Sequence, residues 1–480
     1  MMKYWIGALT LFLLVAVAGS AQDLLWVRTY DNPGLMDRAY GVATDIDANI
    51  VVTGYSEVGD LNYDYHTIKY DQDGNTVWYR RYEGGAIDQA YAVTTDIHGN
   101  VIVSGYSDSV YASNPYYYII KYAPNGDTLW ARYGKCGFAY GVTTDWQGNV
   151  IVTGLSGAPQ AKIYGYCTMK YTPEGDTLWT RTHFTASGGA ARGVATDTAG
   201  NIVVTGYLER AEYPAYYTIK YSPAGDTIWT RVEEGEGGAY AYAVATDREG
   251  NVIVTGDNGR LDFYTIKYDP DGNILWTRDY DGGDDDFAYG VATDAAGNVA
   301  VAGASWLGVN YDYYIVKYAA NGDTLWTRKY DSGAADLARA VSIDREGNVV
   351  VTGSSWGLGD TYYCTVKYSG ESDVEEWAHS ESMSQDMTVY PNPSNSSVAI
   401  QYVLVEDSRV TLRVYDVLGQ QIQRVAQKAH NSGTYTITWD ATDDTGRKVA
   451  SGTYFLRLEA HTGLGTGDYS ATRKVCVVRP

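Results

Sequence analysis

The 480-residue chain is short of cysteine, histidine, phenylalanine and basic side chains: 4 Cys, 6 His, 6 Phe, and 36 Lys plus Arg against 58 Asp plus Glu. Each shortage excludes something. A net charge of −22 repels phosphate backbones and argues against nucleic acid or an anionic membrane as partner. His66, His98 and His183 fall at unrelated repeat positions, and His430 and His461 lie near the C-terminus. No zinc-ligand spacing, Gly-x-Ser-x-Gly elbow or phosphate loop accompanies them. Cys167 and Cys364 each stand four residues before the Tyr of a Lys-Tyr pair (Tyr171, Tyr368), Cys136 sits in a Gly-rich loop, and Cys476 is near the end. That is no disulfide framework, and four unpaired thiols are expected. One long apolar run exists, Trp5 to Ala18, between Lys3 and the small residues Gly19-Ser20-Ala21. It is short for a bilayer span and reads as a signal peptide over residues 1–21, cut before Gln22. The mature chain is therefore expected to be exported, without a transmembrane segment.

Against these shortages stand 46 Tyr, 13 Trp and 53 Gly. Tyrosine in such excess over phenylalanine suggests half-wet β-sheet surfaces, with packed rings and solvated hydroxyls. Much of it comes from one repeated phrase. Tyr-Gly-Val-Ala-Thr-Asp, a Gly-Asn turn and Val-Ile-Val-Thr-Gly recur with the Asp at 45, 96, 145, 197, 247, 294 and 344, at intervals of 47 to 52 residues. Each copy reads as four strands, such as Gly41 to Asp45, Ile50 to Gly54, Tyr264 to Tyr268 and Thr324 to Arg328. Asp197-Thr-Ala-Gly200 places Asp first and Gly fourth, as a type I turn prefers, and the first copy departs with Ala48 in the Gly position. Asp269-Pro-Asp-Gly-Asn273 and Asp71-Gln-Asp-Gly-Asn75 look like the start of a calcium loop. Their twelfth positions are Tyr280 and Tyr82 rather than Glu, so turn chemistry is the better account.

Four antiparallel strands per unit of this length predict β-propeller blades. Seven Trp-x-Arg strands occur, at Trp26, Trp78, Trp130, Trp179, Trp229, Trp276 and Trp326. The first precedes the first Asp turn and none follows Tyr368, so Leu24 to Tyr30 should pair with Tyr362 to Tyr368 and join the ring ends. The expected fold is all-β: a seven-bladed β-propeller over 22–369 closed by its N-terminal strand, a linker over 370–388, and an immunoglobulin-like β-sandwich over 389–480. The phrases Thr-Asp-x-x-Gly-Asn, Val-Thr-Gly and Lys-Tyr-x-x-x-Gly-Asp resemble the SBBP-type propeller repeat of secreted bacterial proteins. That resemblance covers Leu24 to about Ser369 and is tied to no single reaction.

The C-terminal module carries Tyr390-Pro391-Asn392-Pro393, Val414-Tyr-Asp-Val-Leu-Gly419, Gly452-Thr-Tyr454-Phe-Leu-Arg457 and Thr472-Arg-Lys474-Val475. In this order they resemble a type IX secretion (Por) sorting domain, a relative of the FlgD-like immunoglobulin domain. The resemblance implies the type IX machinery as a partner and delivery through the periplasm and outer membrane to the surface or medium. Trp439 to Gly446 is an insertion that leans to the FlgD side.

Candidate binding residues lie in loops that differ between copies. Glu233, Glu234 and Glu236 and the run Asp284, Asp285, Asp286 stand in consecutive junctions and offer hard oxygen ligands of the kind Ca²⁺ takes. Trp306, Trp356 and Tyr111 are aromatic loop residues able to stack on sugar rings. No catalytic residue is assigned and no cofactor is required, Ca²⁺ being the one candidate. The first reading is a monomeric, non-enzymatic binding scaffold for extracellular protein or glycan. The alternative is a propeller hydrolase or lyase acting on polysaccharide with Ca²⁺. An enzyme should place His, Glu or Arg at channel-facing positions where other units have small residues, and the first strands read as monotonous. From Glu381 onward there are ten acidic and ten basic residues, so the negative charge belongs to the repeats.

Overall fold

Runs of β-branched residues flanked by Asp–Gly turns, as in Ile202–Leu208 and Val349–Trp356, form strands wherever they occur, and the chain is all-β. The computed structural model describes residues 24–370 and 387–477, apart from positions 34, 60–61, 86, 109–115, 135, 159–162, 186, 236, 307, 358–359, 391–396, 405–406, 417–419 and 463–468. The proposed signal peptide, Tyr111, Glu236, Gly419 and Pro391 to Pro393 lie outside the described residues. The chain divides into two units, Met1–Glu371 and Ser372–Pro480.

In the first unit each repeat folds onto itself as an antiparallel sheet in sequence order, for example Gly189–Thr196, Ile202–Leu208, Ala215–Tyr221 and Thr227–Glu234. Five such four-stranded sheets are separate, and two more groups of four meet through a single parallel bridge between Tyr63 and Ile87. The last copy takes its outer strand from the N-terminus: Leu24–Tyr30 runs antiparallel to Thr361–Tyr368, with Val27 opposite Val366. The Asp turns form as their residue types dictate. Asp197 accepts the amides of Ala199 and Asn201 at 3.0 and 2.9 Å, and Gly200 takes φ 80°. Ala48 adopts φ 59° in the same place, a left-handed conformation that costs an alanine about 1 kcal/mol.

Several of the repeated polar residues reach the next copy. A strand-three tyrosine donates its hydroxyl to a neighbouring carbonyl: Tyr65 to Tyr118, Tyr117 to Cys167, Tyr166 to Tyr217, Tyr216 to Tyr264, Tyr313 to Cys364 and Tyr363 to His66, at 2.9 to 3.2 Å. These rings are at most 1% exposed. The expectation of solvated hydroxyls is therefore corrected for them. Phenylalanine could fill the space but not make the bond, so tyrosine at this position answers a hydrogen-bonding requirement of buried interfaces.

The Asp of each turn also receives a lysine from strand three of its own copy. Lys69–Asp45, Lys121–Asp96, Lys170–Asp145, Lys220–Asp197, Lys267–Asp247, Lys317–Asp294 and Lys367–Asp344 lie at 2.7 to 3.3 Å with the lysines at most 4% exposed. The same ammonium groups point to the adjoining copy, Lys170 to the Pro223 carbonyl at 3.2 Å and Lys367 to that of Gln72 at 3.4 Å. Trp179 donates to that Pro223 carbonyl at 3.1 Å, while Arg181 stacks on Trp179 and donates to the Gly225 carbonyl at 2.8 Å. Trp26 and Arg28 do likewise to Gln72 and Gly74.

The C-terminal unit packs two sheets. One joins Met387–Tyr390, Val398–Leu404 and Gly433–Trp439; the other runs Gln421–His430, Ser408–Tyr415, Gly452–Thr462, Tyr469–Val477. Trp439, Tyr402, Leu412 and Leu456 fill the core between them. Gln421–His430 was not apparent in the sequence, because an edge strand with mostly polar or half-buried positions shows no apolar alternation. Among the described residues no helix is long and apolar enough to cross a membrane.

The expectation of four unpaired thiols is overturned. Cys136 and Cys167 form a disulfide, with Cα atoms 6.4 Å apart. The loop after Tyr133 turns in over the next copy, its Cys136 carbonyl accepting the Tyr117 amide at 2.9 Å and its Gly137 amide reaching the Leu155 carbonyl at 3.0 Å. Cys167 thus has its partner in the loop of the preceding junction, whereas Cys364, its counterpart in a distant repeat, has no such loop cysteine beside it. Cys364 is a free, buried thiol whose pKa burial pushes up to about 12.

Candidate binding site

The innermost strands surround a cavity of about 490 Å³ lined by residues of all seven copies. Each inner strand shifts register by one residue just where it meets the cavity: between Ala39 and Gly41, Ala90 and Ala92, Ala139 and Gly141, Ala191 and Gly193, Ala241 and Ala243, Ala288 and Gly290, and Ala338 and Ala340. A β-bulge re-aims the extra side chain out of the ladder. The bulged residues are Tyr40, Tyr91, Tyr140, Arg192, Tyr242, Tyr289 and Arg339, and all seven line the cavity. Directly across from each bulge stands the glycine of Val-Thr-Gly. A Cβ on Gly154 would lie 1.9 Å from the Phe138 carbonyl oxygen, so the bulge and this glycine require each other.

Below this ring the strands are joined by hydroxyls. Thr95 donates to the Thr44 carbonyl, Thr144 to Thr95, Thr196 to Thr144, Thr246 to Thr196, Thr293 to Thr246 and Thr44 to Ile343, at 2.8 to 3.2 Å. The cavity wall is thus braced from one copy to the next.

Two of the seven bulges depart from tyrosine. The Arg192 guanidinium lies 4.3 Å from the Tyr140 ring centre and 5.8 Å from that of Tyr207; Arg339 lies 4.4 Å from Tyr289 and 5.8 Å from Tyr40. Burial raises the pKa of the Tyr140 and Tyr289 phenols, and the arginines, hydrogen-bonded to them, pull it partly back. Arg38, beside the ring, contacts Tyr40 and Tyr55 and stacks over Trp356 at 6.0 Å. Asp257 lies behind the ring, buried, hydrogen-bonded to Tyr242 and to the Gly259 amide, with its carboxyl pushed up by burial to about 6. Arg192 and Arg339 break the monotony expected of the inner strands. The signal was present as Ala-Arg-Gly-Val and Ala-Arg-Ala-Val in place of Ala-Tyr-Gly-Val.

The loop candidates are dispersed. Glu233 is half-buried and accepts the Tyr268 hydroxyl at 3.3 Å, while exposed Glu234 pairs with Arg210. Asp284 and Asp285 are exposed, Asp285 accepting the Tyr311 hydroxyl at 3.3 Å. Asp286 is buried and binds the Gly282 amide. Among the described residues Asp286 groups with Asp262 and Asp281, their oxygens within 4.8 Å, and not with the glutamates. The corresponding trio Asp312, Asp331 and Asp336 already holds a cation, since Lys329 reaches Asp312 at 2.6 Å and Asp331 at 3.2 Å. Asp279 stands where Lys329 would be, which leaves Asp262, Asp281 and Asp286 as the carboxylates able to hold a hard cation. Trp306 packs edge-on to Tyr311 at 5.0 Å. His66 is buried and stacked against Tyr30, its pKa lowered to about 4 by burial and by Arg81. In the C-terminal unit Gly452 is exposed and Tyr454 is buried against Trp439; the backbone of Tyr390 and of Lys474 lies in strands.

Residues 388–463 match the FlgD Ig-like domain. The FlgD-like part of the expected resemblance is thereby met. Among solved structures the chain is similar to Sqt1 of Chaetomium thermophilum (11% identity, 85% of this chain and 96% of that one, TM-score 0.42). It is also similar to Saccharomyces cerevisiae Sqt1 (8%, 86% and 98%, TM-score 0.41) and to the C-terminal WD40 domain of Sif2 (10%, 70% and 96%, TM-score 0.42). No curated protein matches the chain in sequence.

Proposed function

We propose that this chain is an exported binding scaffold without enzymatic activity. In this reading residues 1–21 are a signal peptide, and residues 22–369 form an SBBP-type propeller of seven blades closed by the N-terminal strand. Residues 370–388 are a linker, and 389–480 serve as a type IX sorting module. The observation that carries the scaffold reading is the use to which the repeated chemistry is put. The recurring Lys, Trp, Arg, Thr and Tyr side chains join copy to copy, and the joins between last and first copies repeat the pattern: Tyr363 to His66, Lys367 to Gln72, Thr44 to Ile343. Directed at the cavity between the copies is the bulge ring of phenols and guanidinium groups, suited to grip a ligand through faces and forks. The phrases around Tyr390 and Gly452 at the C-terminus support the sorting reading.

The test is an array of glycans, polysaccharides and extracellular proteins probed with the full chain, with and without Ca²⁺, followed by product analysis of every bound glycan. Retention without turnover is expected; cleavage of a bound polysaccharide would establish the hydrolase or lyase instead. For export, deletion of Val389 to Pro480 in the native host should abolish delivery to the surface or medium, and unchanged delivery would remove the sorting role.

A further inference from the structure

The bulge ring is built from one position repeated seven times, so its two exceptions can be compared directly with the other five. Packing does not require arginine there, because Tyr40, Tyr91, Tyr140, Tyr242 and Tyr289 occupy the same bulge in otherwise matching strands. Charge makes the exceptions more telling. In a chain with 58 acidic and 36 basic residues, the strand-three lysines are spent on buried aspartates and the outer-strand arginines on turn carbonyls. Among the described residues no ion pair includes Arg192 or Arg339. Their neighbours are phenol rings, and the buried Nε of Arg192 has no hydrogen-bond acceptor. The nearby carboxylate of Asp257 is turned to Tyr242 and the Gly259 amide and does not line the cavity. Arg192 belongs to the fourth copy and Arg339 to the seventh, so they face the cavity from opposite parts of the ring.

Such a site favours a compact ligand that is anionic at its edges and flat on its faces. A guanidinium fork matches a carboxylate in two parallel hydrogen bonds, and it binds more strongly where ring faces shield it from water. The cavity of about 490 Å³ lies within the range of roughly 300–1,000 Å³ for small-molecule sites. A folded protein partner needs a broad surface of about 800 Å² instead. We propose that the cavity binds a small acidic saccharide, with Arg192 and Arg339 pairing its carboxylates and the tyrosine rings packing on its sugar faces. This deepens the scaffold reading and rests on it.

The test titrates the full chain calorimetrically with trigalacturonate, with neutral galactotriose, and with a short oligo-aspartate. Trigalacturonate should bind, galactotriose at least tenfold more weakly, and oligo-aspartate no better than galactotriose. Arg192→Gln and Arg339→Gln should each weaken trigalacturonate about tenfold or more, as loss of a charged hydrogen-bonding partner does. Arg192→Lys should fall between wild type and Arg192→Gln, which separates loss of charge from loss of fold. Affinity unchanged in both glutamine variants overturns the proposal, as does tighter binding of oligo-aspartate or failure of trigalacturonate to bind. Equal binding of galactotriose overturns the acidic specificity while the scaffold reading stands, because the array decides that reading independently.

Discussion

Tyr166 shows what a single hydroxyl does in this chain. Its ring is buried at 1% exposure and its OH donates to the Tyr217 carbonyl at 2.9 Å, tying two sheets together. Tyr166→Phe should lower stability by about 1 kcal/mol, measured by denaturant unfolding, the net worth of one such bond. The fifth copy tolerates Phe263 at the equivalent place, so the substitution should not disturb the sheet itself. Titration gives a second residue-scale expectation. Burial pushes the Asp37 carboxyl up to about 7, and those of Asp257 and Asp336 to about 6. The folded state therefore keeps protons that the unfolded chain releases above about pH 4, and these three carboxyls lower stability as pH rises from there to about 7, outweighing the opposite change from His66, whose folded pKa of about 4 lies below its unfolded value. Burial opposes ionisation of Asp45, Asp96 and Asp247 as well, but hydrogen bonds from their lysine and asparagine partners win and hold these pKa values low. Their contribution is present above about pH 4 and is lost on further acidification. The melting temperature should thus peak at mildly acidic pH, and Asp37→Asn should raise it at pH 8 and flatten the decline. A wild-type melting temperature that climbs from pH 5 to pH 8 would contradict this. Residue types alone pointed to the Asp turns, since Asp and Gly at fixed offsets have local meaning. The lysine under each Asp is on a different strand, and local spacing could not reveal it.

Strand positions could be read because β-branched runs and turn residues alternate at short range. The bulges could not, since nothing about Ala-Tyr-Gly in isolation says that two residues will oppose one. In retrospect the invariant partner is Gly154 and its counterparts, where a Cβ would sit 1.9 Å from the Phe138 carbonyl oxygen. Gly154→Ala should force the bulge open or the sheets apart. It should cost about 1–3 kcal/mol or more as overpacking, and should shift the Tyr140 ring, visible as a changed near-UV circular dichroism spectrum. A stability and spectrum equal to wild type would show that the bulge does not depend on this glycine. The missed disulfide has a similar origin: Cys136 lies in a junction loop whose path over Cys167 is set by backbone hydrogen bonds that leave no trace in composition.

At the scale of the whole molecule the repeat does two separable things. Side chains at the sheet interfaces are locked into neighbours, and side chains at the bulges are free to differ. The periodicity made the architecture legible, whereas the candidate site was not, because the repeat draws the eye to what recurs and the site consists of two departures from it. Loop acidity resolves into dispersed contacts and the Asp262, Asp281 and Asp286 group. If structure and binding are divided in this way, restoring the majority residue at both exceptions should cost binding and not stability. The direct measurement is the double variant Arg192→Tyr, Arg339→Tyr, melted and titrated with trigalacturonate beside wild type. A melting temperature within a few degrees of wild type together with loss of binding is the predicted result; a large fall in melting temperature with binding retained would contradict the account.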